Sequence, residues 1–350
     1  MTSPKMPHRT LGRTGISVSA IAFGAGPISN LMTGEDRARQ QAVLAHAIER
    51  GVNWIDTAAT YGKGRSEESV GEALRQRADI EQPRDSTPAA QSSRGARVRV
   101  HLATKVRLMP EELDDIPGAV RRSIEGSLAR LGVARVTLLQ LHNAITAERG
   151  QEATSVTPRD VLGPEGVLES FRRLQNEGII GHIGLTAIGQ AAALREVVGS
   201  GEFDTIQVPY NIMNPSAGRD MPAEYQEANY GNVIGLAEQH SMGVFAIRVF
   251  AAGAVLGHPP AEHTINSPFF TFDLYRRDVR RAAQMREIVG GIDELKDAAV
   301  RYSLQHPGVT SALVGFGAPS HVDEALASVQ RGPLPEHVTR KMDSIALHAG

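Results

Sequence analysis

The chain has 350 residues, of which 41% are hydrophobic, and a net charge of −2, so it has the means for a large core and no electrostatic footprint for nucleic acid. It contains no cysteine, which excludes disulfides, thiolate catalysis and cysteine-ligated zinc. No run of about 18 apolar residues predicts a membrane span and residues 1–9 lack the apolar centre of a secretion signal, so the expectation is one cytoplasmic domain over residues 1–350.

Thr10 to Ser19 reads as a small β-hairpin turning at Thr14-Gly15, and Ala20 to Gly24 as a short buried strand. A helix follows from Asp36 to Arg50, where Leu44, Ala47, Ile48 and Gly51 keep the spacing of a buried stripe. Val52 to Ile55 is a second strand and Ser66 to Arg77 a helix. Residues 81–97 are rich in Ser, Pro, Gln and Arg and read as a flexible surface insertion. Val98 to Lys105 is a third strand. Pro117 to Leu131 is a helix, with Pro in its first turn and Gly132 as its stop. Val136 to Leu141 is a fourth strand, followed by a polar excursion over Ala147 to Arg159 and a helix over Pro164 to Glu177. Strands five to eight are expected at Ile179–Leu185, Asp204–Val208, Gly243–Ile247 and Val309–Val314. Gly257 to Asp278 reads as a long irregular loop. Helices at Ile292–Gln305, Ser320–Val329 and Glu336–Ala346 close the chain.

Eight strands alternating with helices, in units of roughly 30 to 45 residues, predict a (β/α)8 TIM barrel with a short N-terminal β-hairpin and extra C-terminal helices. An open doubly wound sheet would carry Gly-x-Gly-x-x-Gly after its first strand. Here Phe23-Gly24-Ala-Gly26-Pro27 has only the first two glycines.

Asp56, Tyr61, Lys105 and His142 all fall at or just beyond the C-terminal ends of strands two, three and four, where a barrel builds its active site. Each alone has a structural explanation: a loop anchor, a packed ring, a solvated strand end, a barrel histidine. Their joint occurrence at successive strand ends favours chemistry. A carbonyl that receives a hydride needs a proton at its oxygen. A tyrosine is a weak acid, and a neighbouring ammonium favours its phenolate. Lys105 can supply that ammonium, Asp56 can hold it, and His142 can orient the carbonyl. Tyr61 would then be the general acid in reduction and the base in oxidation.

The segment Asp56-Thr-Ala-Ala-Thr-Tyr61-Gly resembles the aldo-keto reductase family. So do Leu11-Gly-Arg-Thr-Gly15, Ala103-Thr-Lys105, Leu139-Gln-Leu-His142, Gly181-His-Ile-Gly-Leu-Thr186, Gln207-Val-Pro-Tyr-Asn211 and the run from Arg301 to Gly315. The resemblance covers residues 9 to 330 in order. It implies the catalytic tetrad Asp56, Tyr61, Lys105 and His142, and NADP(H) or NAD(H) bound across the barrel mouth. It also implies that Thr186 and Gln207 hydrogen-bond the nicotinamide carboxamide, with Tyr210 lining the pocket. Gly24, Gly315 and Gly317 fall in the cofactor segments, and Tyr61, His142 and Asn143 at the substrate. The partner so implied is a small carbonyl compound or sugar, and no metal is called for. The oligomeric state is left open.

The chain departs from the family pattern in three places. Ile247 replaces an aromatic expected to stack on nicotinamide, and the neighbouring Arg248 suits bidentate contact with the cofactor pyrophosphate. In the segment after strand eight, His321 stands for an Arg or Gln and Ala325 for an Asn, while Glu324 remains to meet the adenine. The cationic grip on the NADP 2′-phosphate is thus largely missing, and the segment by itself predicts a weakened NADP preference with real use of NAD. Asn143 follows His142 where relatives carry Asp or Pro-Asp, so the substrate class is not borrowed from them. The alternative to an oxidoreductase is a cofactor-binding regulatory or redox-sensing subunit. A metal-dependent hydrolase lacks its His-x-His; His101 and His182 read as strand residues.

Overall fold

The computed structural model describes residues 5–77, 79–81, 98–225, 227–260, 265 and 272–347. Eight parallel strands close into a barrel in chain order: β1 Ile21–Gly24, β2 Trp54–Asp56, β3 His101–Val106, β4 Val136–Leu141, β5 Ile180–Thr186, β6 Thr205–Pro209, β7 Gly243–Ile247 and β8 Ser311–Val314. The helices that follow them around the outside are α1 Arg37–Glu49, α2 Arg65–Arg75, α3 Ile116–Leu131, α4 Val167–Asn176, α5 Ala191–Gly199, α6 Val233–Gln239, α7 Ile292–Gln305 and α8 Pro319–Gln330. The strands are short apolar runs because both their faces are covered, by helices outside and by packed side chains inside.

Side chains alternate along a strand, and that period sets the vertical order of the interior. Ala22, Trp54, Ala103, Leu138 and Phe245 form one apolar cluster with Leu11 and Val18 of the N-terminal hairpin. Two residues further along β2, β3 and β4 stand Asp56, Lys105 and Gln140, so the same inward rows turn polar near the C-terminal mouth. Register fixes their neighbours: Gly24 lies opposite Asp56, Lys105 opposite Gln140, and Thr186 opposite Gln207.

The hairpin pairs His8–Thr10 with Ser17–Ser19 and turns through Gly12–Thr14. Leu11 is fully buried beneath the barrel. Arg13 ties the turn to the N-terminal end of β6, donating to Asp204 Oδ1 at 3.2 Å and to the Phe203 carbonyl at 2.7 Å.

Helix ends follow their caps. Asp36 accepts from the Arg39 N–H at the start of α1, and Asp115 from the Gly118 N–H at the start of α3. Gly132 stops α3 in the left-handed region at φ 68°, which glycine adopts without strain.

Two expectations are corrected. The long loop expected over 257–278 ends early, because Phe272–Val289 is a helix. Its buried positions Tyr275, Asp278, Ala282 and Met285 keep helical spacing, but the charged run Arg276 to Arg281 masks the stripe in the sequence. Asp278 is buried with Arg277 paired to it at 2.7 Å. The polar excursion before α4 ends in a short helix, Pro158–Leu162, which begins at its last two residues and is started by the reciprocal cap of Thr157 and Asp160. Of the insertion expected over 81–97, only Glu81 is described. It belongs to a two-residue ladder with Val98–Arg99, and the remainder lies outside the described residues. Among the described residues no helix is long and apolar enough to cross a membrane.

Candidate active site

β2, β3 and β4 bring Asp56, Tyr61, Lys105 and His142 together at the C-terminal mouth. The Lys105 ammonium donates to Asp56 Oδ1, to the Thr57 carbonyl at 3.0 Å and to the Tyr61 hydroxyl at 3.2 Å. Its three protons are therefore all directed. Asp56 and Lys105 are each 1% exposed, so neither charge has water to stabilise it. Burial opposes the charge on Lys105, yet Asp56 and then Tyr61 outweigh it, and the ammonium is held above its ordinary pKa.

The second oxygen of Asp56 accepts from Gln140 Nε2 at 2.9 Å and from Gln207 Nε2 at 2.5 Å. Four strands and a loop thus converge on one buried carboxylate and ammonium. Such a pair gains little stability over apolar packing, which points to a chemical use. The Tyr61 and His142 rings meet edge to face, with centroids 5.6 Å apart. His142 Nδ1 lies 3.3 Å from Thr60 Oγ1. Both rings line a cavity of about 610 Å³.

The cavity is suited to a nicotinamide dinucleotide. Its lining includes Gly24, Thr186, Gln207, Ile247, Arg248, Gly315, Gly317 and His321. Thr186 Oγ1 is buried and lacks a hydrogen-bond partner, which a ligand amide at that wall would supply. Gln207 lines the same wall with its amide nitrogen already given to Asp56. Arg248 holds a left-handed backbone at φ 59°, and its carbonyl accepts from Asn211 Nδ2 at 2.8 Å. Glu324 is not in this cavity. It lines an adjoining one of about 420 Å³ between α7 and α8, which shares Phe250, Leu256, His258, Val314, Gly315 and His321 with the first.

Two residues expected at the pocket stand elsewhere. Asn143 is fully buried and its side chain joins two loops: Oδ1 accepts from the Leu108 N–H at 2.9 Å, while Nδ2 donates to the carbonyls of Leu108 at 2.7 Å and Thr154 at 2.5 Å. It is absent from the cavity lining, where a substrate contact was expected. Tyr210 is absent from the lining too. Its ring stacks on Tyr302 at 5.6 Å and meets His306 edge-on at 5.5 Å.

Three residues escaped the sequence reading. Gln140 shares the inward parity of His142, and Arg107 that of Lys105, so strand alternation was the available signal for both. Arg107 lines the cavity with Nη2 3.5 Å from the His142 carbonyl, and burial weighs against its charge. Arg39, from α1, also lines the cavity, and no local pattern announces it.

The family model described as the aldo/keto reductase family matches residues 20–347. Among curated proteins, the chain is 27% identical to an L-galactose dehydrogenase of Arabidopsis thaliana, covering 93% of this chain and 88% of the relative. It is 26% identical to a D-threo-aldose 1-dehydrogenase of a Pseudomonas species, covering 89% of each. Among solved structures, the holo form of the aldo-keto reductase AKR11C1 from Bacillus halodurans superposes with a TM-score of 0.69 at 21% identity, covering 98% of this chain and 97% of that one. With its barrel, and with a family match from the first barrel strand to the last helix, this chain belongs to the aldo/keto reductase family.

Proposed function

We propose that the protein is an NAD(P)(H)-dependent oxidoreductase that reduces aldehydes or ketones, or oxidises alcohols and sugar hemiacetals, with Tyr61 as general acid and base. The observation that carries the reading is the Lys105 ammonium 3.2 Å from the Tyr61 hydroxyl, held by a carboxylate whose two oxygens both accept hydrogen bonds. When bound, a nicotinamide dinucleotide supplies or accepts the hydride.

The chain's own residues handle the proton and the placement. In reduction Tyr61 gives its proton to the carbonyl oxygen as that atom gains charge. In oxidation its oxygen takes the proton from the alcohol. Lys105 stabilises the phenolate left in the first case and required in the second. Asp56 keeps Lys105 charged and aimed, and Gln140 and Gln207 keep Asp56 in place. His142, beside Tyr61 in the cavity, hydrogen-bonds the reacting oxygen and fixes its direction. The relatives named for L-galactose and for D-threo-aldoses support sugars as the first substrates to try.

The test is a hydride-transfer assay with both cofactors against aldehydes, ketones and aldoses. Tyr61→Phe removes only the hydroxyl. It is expected to lower kcat by about 10²–10⁴, the span of acid–base catalysis, and to leave cofactor binding nearly intact. Full turnover in that variant would remove Tyr61 from the proton transfer.

A further inference from the structure

The segment after β8 has no Lys or Arg between Gly315 and Ala325, which by itself argues against a grip on a 2′-phosphate. The fold changes that conclusion. α1 packs beside this segment, and Arg39, from its first turn, reaches the cavity wall formed by Gly317 and His321. Arg39 Nε donates to the Gly317 carbonyl at 2.8 Å, which fixes the guanidinium at the rim. A Cβ placed on Gly317 would lie 3.7 Å from Arg39 Nη2 and 3.4 Å from His321 Cε1, so both side chains flank the same bare Cα. His321 Nδ1 accepts from the Gly317 N–H at 3.2 Å. The ring proton is therefore on Nε2, where it can be donated. Among the described residues the Arg39 guanidinium makes one hydrogen bond, to that carbonyl, and no ion pair.

The neighbouring crevice has the opposite character. Asp293, Glu294, Asp297 and Glu324 line it, and its two cations are already paired: Lys296 with Asp293 at 3.0 Å and Arg331 with Asp297 at 3.3 Å. A phosphate dianion is repelled on that side and attracted on the other.

We infer that Arg39 and His321 form a phosphate subsite at Gly317 that takes the 2′-phosphate of NADP, so that α1 supplies the cation missing from the segment after β8. The inference rests on the nicotinamide-dependent reading above. A guanidinium suits the role because it presents several donors to phosphate oxygens in a fixed fork.

Binding, not turnover, tests it. NADPH and NADH would be titrated by their fluorescence into the full chain and into Arg39→Gln and Arg39→Lys, with 2′,5′-ADP and 5′-ADP as competitors. Arg39→Gln keeps a donor for the Gly317 carbonyl while removing the charge. It is expected to weaken NADPH and 2′,5′-ADP about tenfold or more, to leave NADH and 5′-ADP within about twofold, and to flatten the salt dependence of NADPH binding but not that of NADH. Arg39→Lys should recover part of the loss. Equal weakening of all four ligands would move Arg39 to the pyrophosphate and overturn the inference, as would an unchanged NADPH-to-NADH ratio. Failure of the unaltered chain to bind either dinucleotide would instead overturn the oxidoreductase reading itself.

Discussion

Gln140 Nε2 donates over 2.9 Å to Asp56 Oδ2, the oxygen that Lys105 does not use. The amide therefore decides which way the carboxylate faces, and through it where the ammonium stands relative to Tyr61. Gln140→Leu keeps the bulk and removes the donor. A hydrogen bond to a charged group is worth about 1.5–3 kcal/mol, so kcat is expected to fall about tenfold or more. Cofactor affinity should change little, since Gln140 does not line the cavity. Parallel measurement of kcat and of NAD(P)H dissociation constants checks this, and Gln140→Glu should be worse because it sets a second carboxylate beside Asp56.

Thr186→Val tests the unmatched hydroxyl on the cavity wall. A buried hydroxyl without a partner costs about 1–3 kcal/mol, and Val has nearly the same shape. The chain without cofactor should therefore gain about 1 kcal/mol of stability in urea unfolding. The same variant should bind NAD(P)H several-fold more weakly. Unchanged affinity would mean that no ligand group meets Thr186.

The barrel floor has its own pH dependence. Burial, then the charges of Arg99, His182 and His8, push the pKa of His101 down to about 4 from 6.5. Between these values the unfolded chain binds a proton that the folded chain refuses. Stability is thus full above pH 6.5 and declines as pH falls towards 4, by at most about 3 kcal/mol. Urea unfolding followed by the fluorescence of Trp54, the chain's one tryptophan, measures it directly, because that indole stacks on His101 at 5.7 Å. His101→Phe should flatten the profile in this window.

What the sequence made legible depended on distance along the chain. The strands read clearly because each is a short apolar run ended by a glycine or a polar residue. Asp56, Lys105 and His142 read clearly because a barrel puts the C-terminal ends of its strands to work. Asn143 was misread by adjacency: if Gln140 and His142 point inward, alternation sends Asn143 outward, where it ties Leu108 to Thr154. The helix Phe272–Val289 stayed hidden because a buried aspartate paired with arginines does not look apolar. Arg39 could not be read at all, since 278 positions separate it from Gly317 and only barrel closure makes them neighbours.

The N-terminal hairpin also bears on access. Leu11 and Val18 pack with Trp54 and Phe245, so the end of the barrel away from Tyr61 is closed by apolar side chains. A ligand therefore reaches the Tyr61 cavity across the loops that follow the strands, and changes in those loops alter what passes, while changes in the hairpin act on stability alone.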